Sequence, residues 1–471
     1  MSGRTSTGRR PASRGALALA LVLALSGAAP AGATGLVAAW EAARRHDAEL
    51  DVARAAQRAG QARRGQAPAL WRPNVALTAA GGVGRADTAI DGARFSAPGF
   101  GTVTGAAFDT SIDAGASGRI ALAARQPIYD RERSAQSRQL TLSADIADLE
   151  WEAAQQALML RTAEHWLAVS LATEALRVAS SQQQAVDRTL AEATDRYRIG
   201  DAPVTGTHEA RARAESVRAQ VLAARTDREI RLDALADLTG LPREVLLDGP
   251  ARPGAPPAAP LDPLARWIDE AAQHNPGIRI RQIAAQVARE DASKHARSWS
   301  PTVEVVAQVA QERISGNGDF GSASSGAGNA LIGLQLSVPL YTGGFRDARH
   351  EETLRLVEKA DAELEKTRRD VARHVRAAWL GLDAGAARVA ALEQALVASD
   401  ARLASTRTGH QVGDRTTLDL LDAQNASATA ALALTQARVA LLVDRLRLAA
   451  LAGRLDERLL HEVDAAADAR K

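Results

Sequence analysis

Residues 346–410 carry apolar side chains in alternating steps of three and four: Leu354, Val357, Leu364, Val371, Val375, Ala378, Leu382, Val389, Leu392, Leu396 and Leu403. Asp361, Arg368, Gly385 and Ser399 interrupt the series without shifting its phase. A 3.5-residue period keeps one narrow stripe facing a partner helix, which is what a coiled-coil seam requires. At ~1.5 Å per residue, a helix over this run is roughly 98 Å long. No ordinary globular domain contains such an element. The stretch Gly409-His410-Gln411-Val412-Gly413-Asp414-Arg415 then reads as a tight turn, because its glycines can take positive φ. Thr416 or Thr417 is placed to cap a second helix over 417–452.

Of the 471 residues, 46% are apolar but only 3% aromatic, and alanine carries much of the difference. Such a chain suits closely packed helices better than a thick globular core. Residues 1–33 read as a secretory signal: Arg4, Arg9, Arg10 and Arg14 precede an apolar run, and Ala31-Gly32-Ala33 fits a cleavage site. Removing its four arginines takes the net charge from +2 to −2, which argues against a nucleic-acid partner. No other apolar run reaches the ~18 residues expected of a spanning helix. Cysteine is absent, so disulfides, thiolate metal sites and a lipidated N-terminal cysteine are not expected. The nine histidines lack metal-ligand spacing, and neither a metal nor a cofactor is expected.

The chain is duplicated. His46-Asp47 recurs as His274-Asn275, and Trp71 and Pro73 recur as Trp299 and Pro301. Pro127-Ile128-Tyr129 recurs as Pro339-Leu340-Tyr341, and Tyr197-Arg198-Ile199-Gly200-Asp201 as His410-Gln411-Val412-Gly413-Asp414. The first copy is expected over 34–248, with a helix over 36–66, a long helix over 131–196 and a helix over 207–239. The second is expected over 264–455, with a helix over 263–297, a long helix over 346–410 and a helix over 417–452. A proline-rich linker, 249–263, joins them, and 456–471 reads as a tail. In each copy two short helices laid end to end would match the long one.

Period-two alternation marks strands over 74–84, 118–128, 302–314 and 329–341, about the length of a membrane-spanning strand. The segments 85–114 and 315–328, rich in Gly, Ser, Ala and Asp, read as exposed loops. Trp71, Trp299, Tyr129 and Tyr341 fall at strand ends, either as interfacial aromatics or as packing where strand meets helix. The fold class is therefore α+β, a membrane protein with four strands per chain continued by long coiled-coil helices. Four strands in lipid leave two unpaired edges, and each unsatisfied backbone group costs several kcal/mol. Barrels start at about eight strands, so identical copies must pool them: two give eight, three give twelve.

These residues resemble the TolC-type outer-membrane export channels over essentially the whole mature chain. The marks are Ser337-Val338-Pro339-Leu340-Tyr341-Thr342-Gly343-Gly344, Val412-Gly413-Asp414-Arg415-Thr416 and Asp419-Leu420-Leu421-Asp422-Ala423. Arg125-Gln126-Pro127-Ile128-Tyr129-Asp130 and Tyr197-Arg198-Ile199-Gly200 agree with them in the first copy. The resemblance implies a homotrimer, a twelve-stranded β-barrel in the outer membrane, and a helical tube through the periplasm. It implies a conduit rather than an enzyme, working with a periplasmic adaptor and an inner-membrane ABC transporter or proton-driven pump. By the same resemblance Asp419 and Asp422 correspond to an acidic pore constriction. Arg415 corresponds to a gate clamp, with His410 where a tyrosine is common. Gly206 stands where the clamp's acidic partner is expected, and Glu209 lies one turn on. Ile199-Gly200 and Val412-Gly413 correspond to adaptor-docking turns.

The function expected is the outlet of a type I secretion system for an unfolded protein, with RTX-type toxins such as adenylate cyclase-haemolysins as candidate cargo. Multidrug or metal efflux is the alternative within the same class. A periplasmic coiled-coil scaffold without a pore is the alternative outside it, and the alternating strands argue against that.

Overall fold

The computed structural model describes residues 35–201, 203–247, 261–297, 299–319 and 321–467. The expected signal segment, most of the linker and Phe320 lie outside the described residues. Each copy is a β-hairpin carried on helices. In the first, α1 (Leu36–His46) and α2 (Ala48–Ala69) lead into β1 (Asn74–Ala97) and β2 (Gly101–Asp130). The chain then runs the length of α3 (Arg131–Arg198), returns along α4 (Val204–Thr239) and makes the short helix α5 (Arg243–Leu247). In the second, α6 (Leu264–His274) and α7 (Pro276–His295) lead into β3 (Thr302–Gly318) and β4 (Gly321–Ser337). The long helix α8 (Phe345–Gln411) follows, then α9 (Thr417–Leu451) and α10 (Glu457–Ala467).

The two hairpins join into one antiparallel sheet of order β1-β2-β3-β4. Among the helices, α2 and α4 pack on one side of α3, α7 and α9 on its other side, and α8 packs on α7 and α9. Short helices thus lie along long ones, as the repeat lengths suggested. One edge of the helical layer is α2 and α4, the other is α8. Of these, α2 leads into β1 and α8 follows β4 in the chain, so both layers end on the same two sides.

Five details differ from the sequence expectations, each for a local reason. The stretch 36–66 is two helices broken at Asp47, and 263–297 is two broken at Asn275. Both break residues have extended backbone, and each accepts a hydrogen bond from an amide three residues on, Asp47 from Leu50 and Asn275 from Ile278. A capping side chain can start a helix as readily as sit within one, and periodicity does not separate the two cases. Next, the expected loops 85–114 and 315–328 are largely strand: β1 and β2 stay paired up to Ala97↔Gly101. Register shifts at Gly84/Ala86 and around Ile90–Arg94 absorb the irregular sequence, with Gly92 at φ 72° among the residues involved. The Phe95 and Phe108 rings meet across the pair at 5.3 Å. Third, β4 ends at Ser337 and not at 341, opposite Thr302 where its partner β3 begins, and Pro339 just beyond has no N–H with which to extend the ladder.

Fourth, the expected tail contains α10, whose Leu460 and Val463 are buried with Leu36 and Trp40 of α1. Asp464 Oδ1 accepts a hydrogen bond from the Leu36 amide at 2.7 Å, capping a helix that lacks a local cap. Fifth, α9 is long and apolar enough, by length and composition, to cross a membrane. It lies instead within the helical layer, where Leu442 and Leu446 enter one core and Leu434 and Leu441 another. Alanine and glycine let the helices close up. A Cβ on Gly60 would come within 2.2 Å of Ala147 Cβ, so α2 meets α3 with no room for a side chain there.

Candidate functional site

Cross-strand partners in an antiparallel sheet share a face, so the register sorts every strand residue onto one side. One face carries Val75 and Leu77, Ile120 and Leu122, Val303, Val305 and Val309, and Ile332, Leu334 and Leu336. The other carries Thr78, Arg119 and Arg125, Glu304, Gln308 and Glu312, and Asn329 and Gln335, with Val306 and Leu331 among them. Leu77 is 71% and Ile332 77% exposed, and most large residues of the apolar face are likewise uncovered within the chain, Val303 and Val305 being half-buried. From Val75 to Val83 the band rises roughly 27 Å at ~3.4 Å per residue, close to the ~25 Å lipid-facing belt of membrane barrels. Trp299, Tyr129 and Tyr341, at the lower strand ends, are exposed rather than packed, while Trp71 is half-buried. That favours the interfacial reading for three of the four. The free edges of β1 and β4 have no strand partner in the sheet. The wall is one-sidedly apolar, one-sidedly polar and open.

At the far ends of the long helices the duplicated turns share one backbone. Each closes with the chain's glycine in the left-handed region, Gly200 at φ 79° and Gly413 at φ 83°. In the first, the Gly200 amide donates to Tyr197 O and the Asp201 amide to Arg196 O. In the second, the Gly413 amide donates to His410 O and the Asp414 amide to Gly409 O. This paired 5→2 and 6→1 pattern is a Schellman turn, which a Cβ at the glycine would strain. Just before each glycine an apolar residue points outward, Ile199 at 78% and Val412 at 74% exposure.

Between the turns lies a cavity of about 360 Å³ lined in part by Arg196, Gly206, Glu209, His410, Gly413 and Arg415. The structure thus brings together the three residues expected to clamp the tips. Among the described residues Arg415 and Glu209 form no ion pair with each other. The Arg415 stem lies over the last turn of α8, where a Cβ on Gly409 would come within 2.7 Å of its Cγ. His410 is the buried member, 4% exposed. Its Nε2 lies 3.4 Å from Thr417 Oγ1, and its Nδ1 lies 3.7 Å from Glu192 Oε1 on α3. Glu192 was not legible in the sequence. Which α3 residue meets the end of α8 depends on how two hairpins dock, and no local spacing encodes that. Leu421 fixes the docking, buried among Val186, Ala193, Ala210, Ala214 and Val217.

Asp419 and Asp422 follow within the first turns of α9. Asp422 is exposed. Asp419 has a local duty: its carboxylate accepts hydrogen bonds from the Thr416 amide at 3.0 Å and the Thr416 hydroxyl at 2.8 Å, while Thr416 Oγ1 accepts from the Asp419 amide at 3.1 Å. This is a capping box. The Thr416 amide, then its hydroxyl, hold the Asp419 carboxyl below the usual aspartate range. Among the described residues no cluster of potential metal ligands occurs.

Residues 40–241 and 267–454 match the family described as Outer membrane efflux protein. The chain belongs to that family. It is an outer-membrane channel of the TolC type that extends into the periplasm, and it is not an enzyme. It is 27% identical over 344 residues to Outer membrane protein TolC of Escherichia coli (strain K12), an alignment spanning 70% of this chain and 68% of that one. It is 26% identical over 455 residues to Proteases secretion protein PrtF of Dickeya chrysanthemi, spanning 94% and 93%. The fold superposes on the crystal structure of the outer membrane protein VceC from Vibrio cholerae with a TM-score of 0.70 at 20% identity, covering 89% of this chain and 96% of that one. The family places the two-faced sheet in the outer membrane and the long helices below it.

Proposed function

We propose that three copies of this chain close into one channel that exports an unfolded protein as the outlet of a type I secretion system. The observation that carries the assembly is the open, two-faced sheet. Its apolar face suits lipid, its polar face suits a water-filled lumen, and its β1 and β4 edges lie on the same sides as the free helical edges. Three such sheets make a twelve-stranded wall in which every backbone group finds a partner. Secretion rather than efflux is supported by the likeness to PrtF along nearly the whole of both chains. The partners are a periplasmic adaptor, meeting the tips through Ile199-Gly200 and Val412-Gly413, and an inner-membrane ABC transporter that supplies the energy.

Asp419 and Asp422 form the constriction in this reading. They stand three residues apart on α9, so six carboxylates converge in a trimer and draw multivalent cations. The experiment is planar-bilayer recording with a trivalent cation added on the periplasmic side. Block is expected in the wild type and lost in Asp419→Asn/Asp422→Asn, a pair chosen to spare the capping box more than alanine would. Block that persists in the pair removes the constriction assignment. Absence of any current removes the channel.

A further inference from the structure

The apolar face of the sheet changes character at one height. Going up β2, β3 and β4, its large apolar residues stop after Ile120, Val309 and Ile332. Above them one cross-strand row on that face brings together Gly81, Gly118, Arg313 and Gly326. Gln311 lies below Arg313 on the same face, and the Ser315–Ser324 pair lies above it. The bareness of the row is not demanded by packing. A Cβ on Gly118 would meet nothing within 4 Å, and one on Gly81 or Gly326 would meet only a carbonyl oxygen at 3.8 Å. Arg313 stands ten residues above Val303, the partner of Tyr129 at the lower strand ends. At ~3.4 Å per residue and a tilt of about 35–45°, that is a rise of roughly 26 Å, the height of a lipid-facing belt. An arginine is costly in the middle of such a belt and cheap at its rim. Glu304 and Glu312 of the same strand fall on the opposite, polar face. Arg313 is exposed, and among the described residues no carboxylate pairs with it.

We propose that Arg313 and its bare row bind the phosphate of a lipid headgroup in the outer leaflet. The long helices lie on the periplasmic side, so the rim at Arg313 is the one that faces the exterior. A guanidinium fork offers paired N–H donors to phosphate oxygens. Gln311, Ser315 and Ser324 add neutral donors around it, and the glycines let a headgroup settle against the strands. Free phosphate carries the same oxygens. Only a lipid also lays acyl chains along the rows below, over Val309 and Ile332, so the lipid is the occupant. The inference rests on the apolar face meeting lipid and is independent of what the channel carries.

The experiment is native mass spectrometry of the full-length, detergent-purified protein with diphosphoryl lipid A and with the same lipid stripped of its phosphates. The wild type should hold the phosphorylated form about fivefold more tightly. Arg313→Gln should bind the two alike, and Arg313→Lys should keep a smaller preference, since an ammonium supplies the charge without the fork. Gly118→Leu/Gly326→Leu should weaken the preference with the arginine still in place. Arg119→Gln, beside Gly118 but on the polar face, should leave it unchanged. A wild type that binds both forms alike overturns the site, because the side chain then only reaches for water. A preference that survives in Arg313→Gln overturns it too, as does displacement of the lipid by millimolar inorganic phosphate. A separate readout tests the face itself. The chain has no cysteine, so a dye on Ile332→Cys reports lipid contact alone, through quenching by brominated lipid in vesicles. Quenching without a phosphate preference removes the site and leaves the face, whereas no quenching removes both.

Discussion

The turn after α3 and the turn after α8 are one backbone built twice, with different side chains around it. Both are Schellman turns with glycine at positive φ and an apolar residue turned outward. Past the glycine they part. The second copy starts α9 with the Thr416–Asp419 capping box, whereas α4 starts at Pro203 with no side-chain cap. The second copy buries Leu421 in the opposite hairpin, whereas its first-copy counterpart, His208, is exposed. Duplication has kept what the backbone requires and divided the rest. One tip inserts and the other receives, so docking of the hairpins is asymmetric within a symmetric chain.

The largest test of that asymmetry is Leu421→Ala. Deleting a fully buried leucine costs about 2–5 kcal/mol, and the loss should appear as faster exchange at the end of α3 and the start of α9. His208→Ala should change stability by no more than about 0.5 kcal/mol. Equal losses would mean that both tips insert. Next come the glycines, where the copies should agree: Gly200→Ala and Gly413→Ala each place a Cβ in the left-handed region at about 1–2 kcal/mol. A large difference between them in denaturant unfolding would show that the turns are not equivalent. Smaller again is Thr416→Ala, expected to cost about 1 kcal/mol at the start of α9, while Pro203→Ala has no capping contact to lose. The smallest effect is in pH. Asp419 is held below its ordinary pKa of 3.8, so the stability its charge lends is complete above that value and disappears as pH falls through the lower, folded one. Exchange at the start of α9 should thus stay slow through mild acid and quicken only in strong acid. Quickening that begins above pH 3.8 would contradict the cap.

Periodicity made the architecture readable before any coordinates. A 3.5-residue repeat over residues 346–410 can only be a long helix seeking neighbours, and α8 runs Phe345–Gln411. Alternation located the spanning parts of all four strands, because one face had to be apolar. It did not show that β1 and β2 continue, since outside the membrane no burial enforces alternation and the ladder alone keeps the strands together. The breaks at Asp47 and Asn275 were visible as repeated marks, but their meaning as caps appears only in the backbone. At the tip, Arg415, Glu209 and His410 were found as a neighbourhood. Their pairing was not, because Glu192 reaches the site from 218 positions away along the chain, through the docking of two hairpins.

The central claim is that a four-stranded sheet with one lipid face cannot stand alone, and light scattering on the detergent-purified protein, corrected for bound detergent, tests it most directly. The account predicts a single species of three chain masses that retains its β-sheet signal. A stable species of one chain mass with the same β-sheet signal would contradict it.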